Sequence, residues 1–334
     1  MLYYVPLEIL PMRYTEMQDR ITQKAFKDNG VKFVTINGTE LSTKLGESQF
    51  LNPYSTNYFK FSQLMQICEM FNSGAIKNGD AFYFSDIWFP GIESIKYMAY
   101  FKGIKVKIFG IMHAGSFTPT DTVNGMKEWA RPYELSIIKA SDIIFVGSEQ
   151  TRQDMLKAFN LEYEDLLKIK VTGLAFDYYE VDKYSIPYEE KKDIIIFPHR
   201  VHPEKQIELC KSLEKQFPQC EFIYTHEHNY SKDEYYKILA KSKIMFSASL
   251  QENFGYSVLE GCVLNVMPVL PFNNTDYKYL YPKEFLYDNV DDAIRLIRRI
   301  LNGFRADLTF IPQYYNDSLQ RQAKIIKEAL NDIK

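Results

Sequence analysis

Glycine, cysteine and net positive charge are all in short supply in this chain, and each shortage removes a class of protein. The 15 glycines among 334 residues never form a G-x-G-x-x-G turn, so a dinucleotide fingerprint is excluded. The four cysteines, Cys68, Cys210, Cys220 and Cys262, are scattered without a C-x-x-C pair. A disulfide framework is therefore not expected, and buried, reduced thiols in a cytoplasmic protein are. Lys and Arg total 40 against 43 Asp and Glu, a net charge of −3. No global field draws the chain to nucleic acid, and any polyanion site has to be local. No apolar run approaches the roughly 18 residues of a membrane span, and none follows a basic start as a signal peptide would. Four of the five histidines, His199, His202, His226 and His228, lie close together in sequence. No cysteine or carboxylate spacing accompanies them, so no metal site is expected. Aromatics are abundant, with 25 Tyr and 24 Phe, and serve either as core or as stacking surfaces for sugars and bases.

The periodicity predicts an α/β protein. Residues 1–6 form a strand, 16–28 a helix that Thr15 can cap, and 31–36 a second strand, the opening of a parallel sheet. Arg13 stands in the first strand-to-helix loop, either a ligand contact or a surface arginine. A helix over 57–71 carries an apolar stripe of Phe59, Phe61, Leu64, Ile67, Cys68 and Phe71, read as core. The strand over 80–84 ends at Asp86 and Trp88. Asp86 is either a site carboxylate at a strand end or the N-cap of a helix over 92–102, and Trp88 can stack a ring. The strand over 103–112 delivers His113-Ala-Gly-Ser116, a site histidine or a satisfied structural one. Helices over 128–140 and 151–159 and a strand over 142–146 follow, and the charged, Tyr-rich stretch 178–192 reads as a linker. Beyond it come strands over 193–197, 221–224, 244–250 and 265–270, helices over 206–217 and 233–242, and an amphipathic helix over 318–334. Three segments result: 1–180, 193–310, and a terminal helix over 311–334 that can return to the first domain.

The most informative stretch is Ser247 to Gly261. Glu252 and Glu260 are separated by seven residues, with Asn253, Phe254 and Gly255 between a predicted strand and a helix starting at Tyr256. Asn253 can cap that helix, and Gly255 frees the turn before it. Glu252 then lies at the helix mouth, and Glu260 two turns inside on nearly the same face. A helix N-terminus attracts phosphates, and carboxylates attract sugar hydroxyls, so a nucleotide sugar suits the arrangement. Arg200 and Lys205 flank the loop after the strand over 193–197, two cations suited to a diphosphate or two ordinary surface cations.

Ser249-Leu-Gln-Glu-Asn-Phe-Gly-Tyr-Ser-Val-Leu-Glu260 resembles the Glu-x7-Glu signature of retaining GT-B glycosyltransferases of the family 4 type. Residues 198–205, 171–177 and 108–113 are similar to that family's diphosphate loop, first-domain end and histidine strand. The resemblance implies a GT-B fold, two Rossmann-like domains facing across a cleft, the first for the acceptor and the second for the nucleotide sugar. It implies that Glu260 holds the ribose, that Glu252 contacts the transferred sugar or supports the site, and that the backbone from Asn253 through Phe254 and Gly255 to Tyr256 approaches the donor. Arg200 and Lys205 would stabilise the departing diphosphate. His113 would orient the sugar, and Asp86 the acceptor. The donor would be a UDP-sugar, and no metal would be needed, in keeping with the missing Asp-x-Asp of the metal-dependent class. Two departures stand out: the loop over 7–15 lacks the family's glycine pair, and Arg200 sits in a His-Arg-Val-His-Pro-Glu-Lys loop that is not glycine-led.

Within the first half, the segments around Val5, Arg13, Asn57, Asp86 and His113 look like glycosyltransferases of tailed bacteriophages. That likeness implies a 5-hydroxymethylpyrimidine in double-stranded phage DNA as acceptor, in the host cytoplasm, with the base flipped out of the duplex. Arg13, Lys60, Lys102, Lys105 and Lys107 would meet phosphates, with Arg13, Asp86 and Trp88 on the acceptor side. A glycan, lipid-linked or small-molecule acceptor is the alternative, and a non-catalytic nucleotide-sugar or nucleic-acid binding protein a second one.

Overall fold

The computed structural model of the chain describes residues 1–10, 14–41 and 52–331. It divides into two compact units, Met1–Ala175 with Ser318–Lys334, and Phe176–Asp317. The first contains β1 (Leu2–Val5), α1 (Thr15–Asp28), β2 (Phe33–Thr35), α2 (Pro53–Asn72), β3 (Ala81–Phe84), α3 (Ile92–Phe101), β4 (Lys107–Met112), α4 (Lys127–Ala140), β5 (Ile143–Val146), α5 (Glu149–Phe159), α6 (Tyr163–Lys168) and β6 (Ile169–Val171). The second contains α7 (Tyr178–Asp182), β7 (Lys192–Phe197), α8 (Ile207–Glu214), β8 (Glu221–Tyr224), α9 (Lys232–Lys241), β9 (Ser242–Phe246), β10 (Gln251–Glu252), α10 (Tyr256–Val263), β11 (Met267–Pro271), β12 (Asn274–Thr275), α11 (Tyr277–Leu280), β13 (Leu286–Tyr287), α12 (Val290–Leu301) and α13 (Phe310–Asn316). The chain then rejoins the first unit as α14 (Ser318–Asn331).

Each unit is built on a parallel sheet, in the order β2-β1-β3-β4-β5-β6 and β13-β11-β9-β7-β8. The winding is the same in both. The first strand takes the second on one side and the third on the other, so the chain leaves it in opposite directions. That reversal is a topological switch point, between β1 and β3 and between β7 and β9, where doubly wound folds bind ligands beyond the strand ends. β3 is buried along its whole length, and Tyr83 pairs with Tyr4 on one side and Phe109 on the other. Continuous apolar strands of this kind are what a sheet covered on both faces requires.

Side-chain caps start α2, α5, α7, α9 and α12. Asn52 accepts hydrogen bonds from the Tyr54 and Ser55 N–H groups ahead of Pro53 at the first turn of α2. Ser231 and Glu234 form a capping box on α9. Four expectations need correction. Thr15 lies inside α1 and accepts the Leu10 N–H, while Tyr14 occupies the cap position. The stripe on α2 is not all core, because Phe61 and Cys68 are exposed. The same observation places Cys68 outside the expected set of buried thiols. Residues 178–192 are no free linker: α7 packs against α10 and α13 in the second unit. Among the described residues no helix is long and apolar enough to cross a membrane.

Candidate active site

The second unit gathers its polar groups at the β7/β9 switch point. The end of β7 delivers 198–205, and the end of β9 delivers 247–255. His199, 5% exposed, sits 2.9 Å through Nε2 from Ser247 Oγ and ties the two ends together. Burial, reinforced by the Lys205 charge, pulls its pKa down to about 3, so the ring is neutral at physiological pH. Lys205 is buried, and its Nζ lies 2.9 Å from Glu252 Oε2, 3.4 Å from the Gln251 carbonyl and 3.6 Å from Glu204 Oε1. Arg200, by contrast, is exposed, with its guanidinium 3.4 Å from Glu204. The structure thus joins Lys205 to Glu252, 47 residues apart in sequence, and leaves Arg200 turned to solvent beside them.

Glu252 lies in β10, paired with Thr275 of β12. Gly255, at φ +69°, is the left-handed residue that starts α10. Asn253 does not cap this helix; its Oδ1 accepts from Gln251 Nε2 at 3.3 Å. The Phe254 ring is buried between Tyr256 and Tyr315, so only the backbone of that residue is left for a ligand. Glu260 does not meet Glu252 through a shared partner. Its carboxylate accepts from Tyr235 Oη at 3.1 Å and Tyr236 Oη at 2.9 Å, both from α9. Burial raises the Glu260 pKa, with the two tyrosine bonds opposing the rise.

A second cluster belongs to the first unit, beyond β3 and β4. Lys60 of α2 is buried, and its Nζ lies 2.7 Å from Asp86 Oδ2 and 2.7 Å from the Trp88 carbonyl. The Trp88 N–H donates to Asp86 Oδ1 at 3.1 Å. Asp86 is therefore half of a largely enclosed ion pair. It does not cap α3, whose cap position is Gly91, and Lys60 is not available to a DNA phosphate. Lys107 likewise donates to the Ala329 carbonyl. His113 Nε2–H donates to the Ser85 carbonyl at 2.9 Å. Burial lowers its pKa, against the opposing pull of Asp86 and the Ser85 bond. The Tyr14 ring packs 5.6 Å from the His113 ring. Arg13 lies outside the described residues.

Three site residues had no local signal: Tyr235, Tyr236 and Glu134. Glu134, inside α4, is fully buried against Ser116 and Trp88. A polar residue on the inward face of an otherwise amphipathic helix was the only available hint. Among the described residues, no group of three or more His, Cys, Asp or Glu side chains is placed to hold a metal ion.

No protein-family model matches the chain, and a search of curated proteins returns no match. Solved structures do match in fold. The lipopolysaccharide outer core galactosyltransferase WaaB superposes with a TM-score of 0.63 at 12% identity, covering 99% of both chains. A putative UDP-N-acetylglucosamine 2-epimerase from Listeria monocytogenes gives 0.56 at 11% identity, covering 99% of this chain and 96% of that one. The pneumococcal O-GlcNAc transferase GtfA, solved with UDP and GlcNAc, gives 0.52 at 13% identity over 83% of this chain. The chain spans 60% of the length of that protein. The class is thereby defined: two parallel-sheet α/β units in the GT-B fold. A transferase and an epimerase share it, so the choice of reaction rests on the residues at the switch points.

Proposed function

We propose that the chain is a glycosyltransferase moving a hexose from a UDP-sugar to a hydroxyl acceptor with retention of anomeric configuration. The observation that carries this reading is the Lys205–Glu252 pair at the β7/β9 switch point, next to the mouth of α10. Negative charge grows on the leaving diphosphate as the glycosidic bond breaks. Lys205, and Arg200 swinging from its exposed position, supply the opposing charge, so the step needs no metal ion. Glu252 holds Lys205 in place until the diphosphate arrives and then faces the sugar. Glu260, oriented by two tyrosines, accepts from the ribose hydroxyls. His113 and Asp86 serve the acceptor side from the first unit. The acceptor role is proposed for the first unit, Met1–Ala175 with Ser318–Lys334, and the donor role for the second, Phe176–Asp317.

For the acceptor we favour a 5-hydroxymethylpyrimidine in phage DNA, on the likeness of the first-unit segments to phage enzymes. The burial of Lys60 and the bond from Lys107 to the Ala329 carbonyl narrow the phosphate contacts to Arg13, Lys102 and Lys105. The deciding experiment incubates the protein and labelled UDP-glucose with duplexes containing cytosine, hydroxymethylcytosine or hydroxymethyluracil, with and without EDTA. Label on a hydroxymethylated duplex, unaffected by EDTA, is the expected result. Transfer to an oligosaccharide but to no duplex removes the DNA acceptor. Donor turnover surviving in Lys205→Ala removes the site itself, because that change is expected to lower kcat by roughly 10²–10³-fold and Arg200→Ala by about 10²-fold. Binding of UDP-glucose with no turnover under any condition favours the non-catalytic reading.

A further inference from the structure

Loop 85–88 after β3 carries Asp86 and Trp88, and loop 113–116 after β4 carries His113. Both loops are fastened to one carboxylate. Glu134, 0% exposed, accepts from the Ser116 N–H at 2.8 Å, Ser116 Oγ at 2.5 Å and Trp88 Nε1–H at 3.0 Å. The fit is close: a Cβ on Gly115 would stand 2.5 Å from Glu134 Oε1, so only glycine lets the loop wrap the carboxylate. On its other side Trp88 packs against the rings of Tyr133, at 5.0 Å, and Trp129, at 6.4 Å, from the same helix. A buried charge is tolerated when its oxygens are hydrogen-bonded, and three donors converge here. The arrangement is more than neutralisation. The donors come from two different strand ends, so the carboxylate fixes their spacing.

We infer that Glu134 is a positioning residue that locks the Trp88 and His113 loops into one rigid acceptor-side platform. The inference rests on the transferase reading for its kinetic consequence but not for its spectroscopic one. Glu134→Gln keeps the volume but removes the charge: the Ser116 and Trp88 N–H bonds to Oε1 become neutral and weaker, and Ser116 Oγ must turn to accept from the amide, which loosens both loops. Without the clamp, His113 becomes more solvated and Trp88 more accessible, while the donor groups on the second unit are untouched.

The test compares the wild-type chain with Glu134→Gln, Ser116→Ala and Trp88→Phe, each checked for folding by circular dichroism. Acrylamide quenching is read in a Trp129→Phe background, where Trp88 alone emits. The His113 ring protons are titrated by NMR and assigned with His113→Gln. In Glu134→Gln, the quenching constant is expected to rise at least twofold and the His113 pKa to climb toward its ordinary value. In the transfer assay, kcat/KM for the acceptor is expected to fall 10- to 100-fold, with KM for UDP-glucose within twofold. Ser116→Ala and Trp88→Phe together should lose less than the product of their separate losses, because both act through one carboxylate. Unchanged quenching and an unchanged His113 titration in folded Glu134→Gln overturn the clamp. So do acceptor and donor constants that fall equally. If Glu134→Gln fails to fold, Ser116→Ala carries both spectroscopic readouts and Trp88→Phe carries the His113 titration. A wild type that transfers nothing defeats the transferase reading, and the two spectroscopic readouts still decide the clamp.

Discussion

Tyr235 and Tyr236 give the Glu260 carboxylate two hydroxyl donors, yet burial still raises its pKa above the ordinary carboxylate value. In the window between the unfolded and folded pKa, the native state binds the proton more tightly. The stability contribution is therefore full below the unfolded pKa and is lost as pH rises through the folded one. Ionised, Glu260 is held against the fold's preference, as sites built for binding often are. Glu260→Gln should thus melt a few degrees higher than wild type at pH 8, and lack the wild-type decline as pH rises above the ordinary carboxylate range. Its KM for UDP-glucose should rise roughly 10-fold, from loss of a charged acceptor. A Gln variant melting below wild type at pH 8 would falsify the assignment of strain to this carboxylate. The two glutamates were legible because their spacing around Gly255 is local. Their partners were not: Lys205 is 47 residues from Glu252, and the tyrosines are 24 and 25 from Glu260. Only the sheet order brings such groups together.

At the scale of elements, α10 depends on Gly255 in two separable ways. Its φ of +69° disfavours any side chain by about 1–2 kcal/mol. A Cβ there would also lie 2.8 Å from Tyr277 Cε1 and 3.4 Å from Glu252 Cγ. Tyr277 is fully buried and has nowhere to go, which adds about 1–3 kcal/mol of overpacking. Gly303 is the natural control, since it has φ +97° and open space around its would-be Cβ. Gly303→Ala should show the backbone contribution alone. Gly255→Ala should lose clearly more in thermal melts, together with most donor turnover. Equal losses at the two positions would remove the packing argument. Strands were the easiest elements to read, since continuous apolar runs such as 193–197 suit a covered parallel sheet. α2 was misread because its inward face is partly polar. Lys60 holds Asp86, and Gln63 donates to the Pro6 and Ile36 carbonyls beyond β1 and β2. Phe61 is left outside, at 50% exposure. Hydrophobic periodicity marks a face that avoids water and has no way to register a face chosen for its hydrogen bonds.

At the scale of the whole molecule, the second unit is one continuous stretch of chain, whereas the first is completed only by α14. Leu319, Ala323 and Ile326 bury their side chains there, worth about 1.5–3 kcal/mol for each of the larger two. Gln322 is fully buried between three groups of the first unit. Its Oε1 accepts from Tyr83 Oη at 2.7 Å, and its Nε2 donates to Thr172 Oγ1 at 2.9 Å and to the Gly173 carbonyl at 3.3 Å. Removing α14 also takes away the hydrogen bond from the Tyr83 hydroxyl, worth about 0.5–1.5 kcal/mol. The total, on the order of 5 kcal/mol, rivals the net stability of an average domain. The amphipathic pattern over 318–334 was visible in sequence, but the surface it seals was not, because that surface is assembled from β3 and the segment after β6. A chain ended at Asp317 is therefore expected to lose the first unit's calorimetric transition and keep the second's. UDP-glucose binding, proposed for the second unit, should persist while transfer disappears. Two intact transitions in the shortened chain would mean that α14 decorates the first unit without completing it.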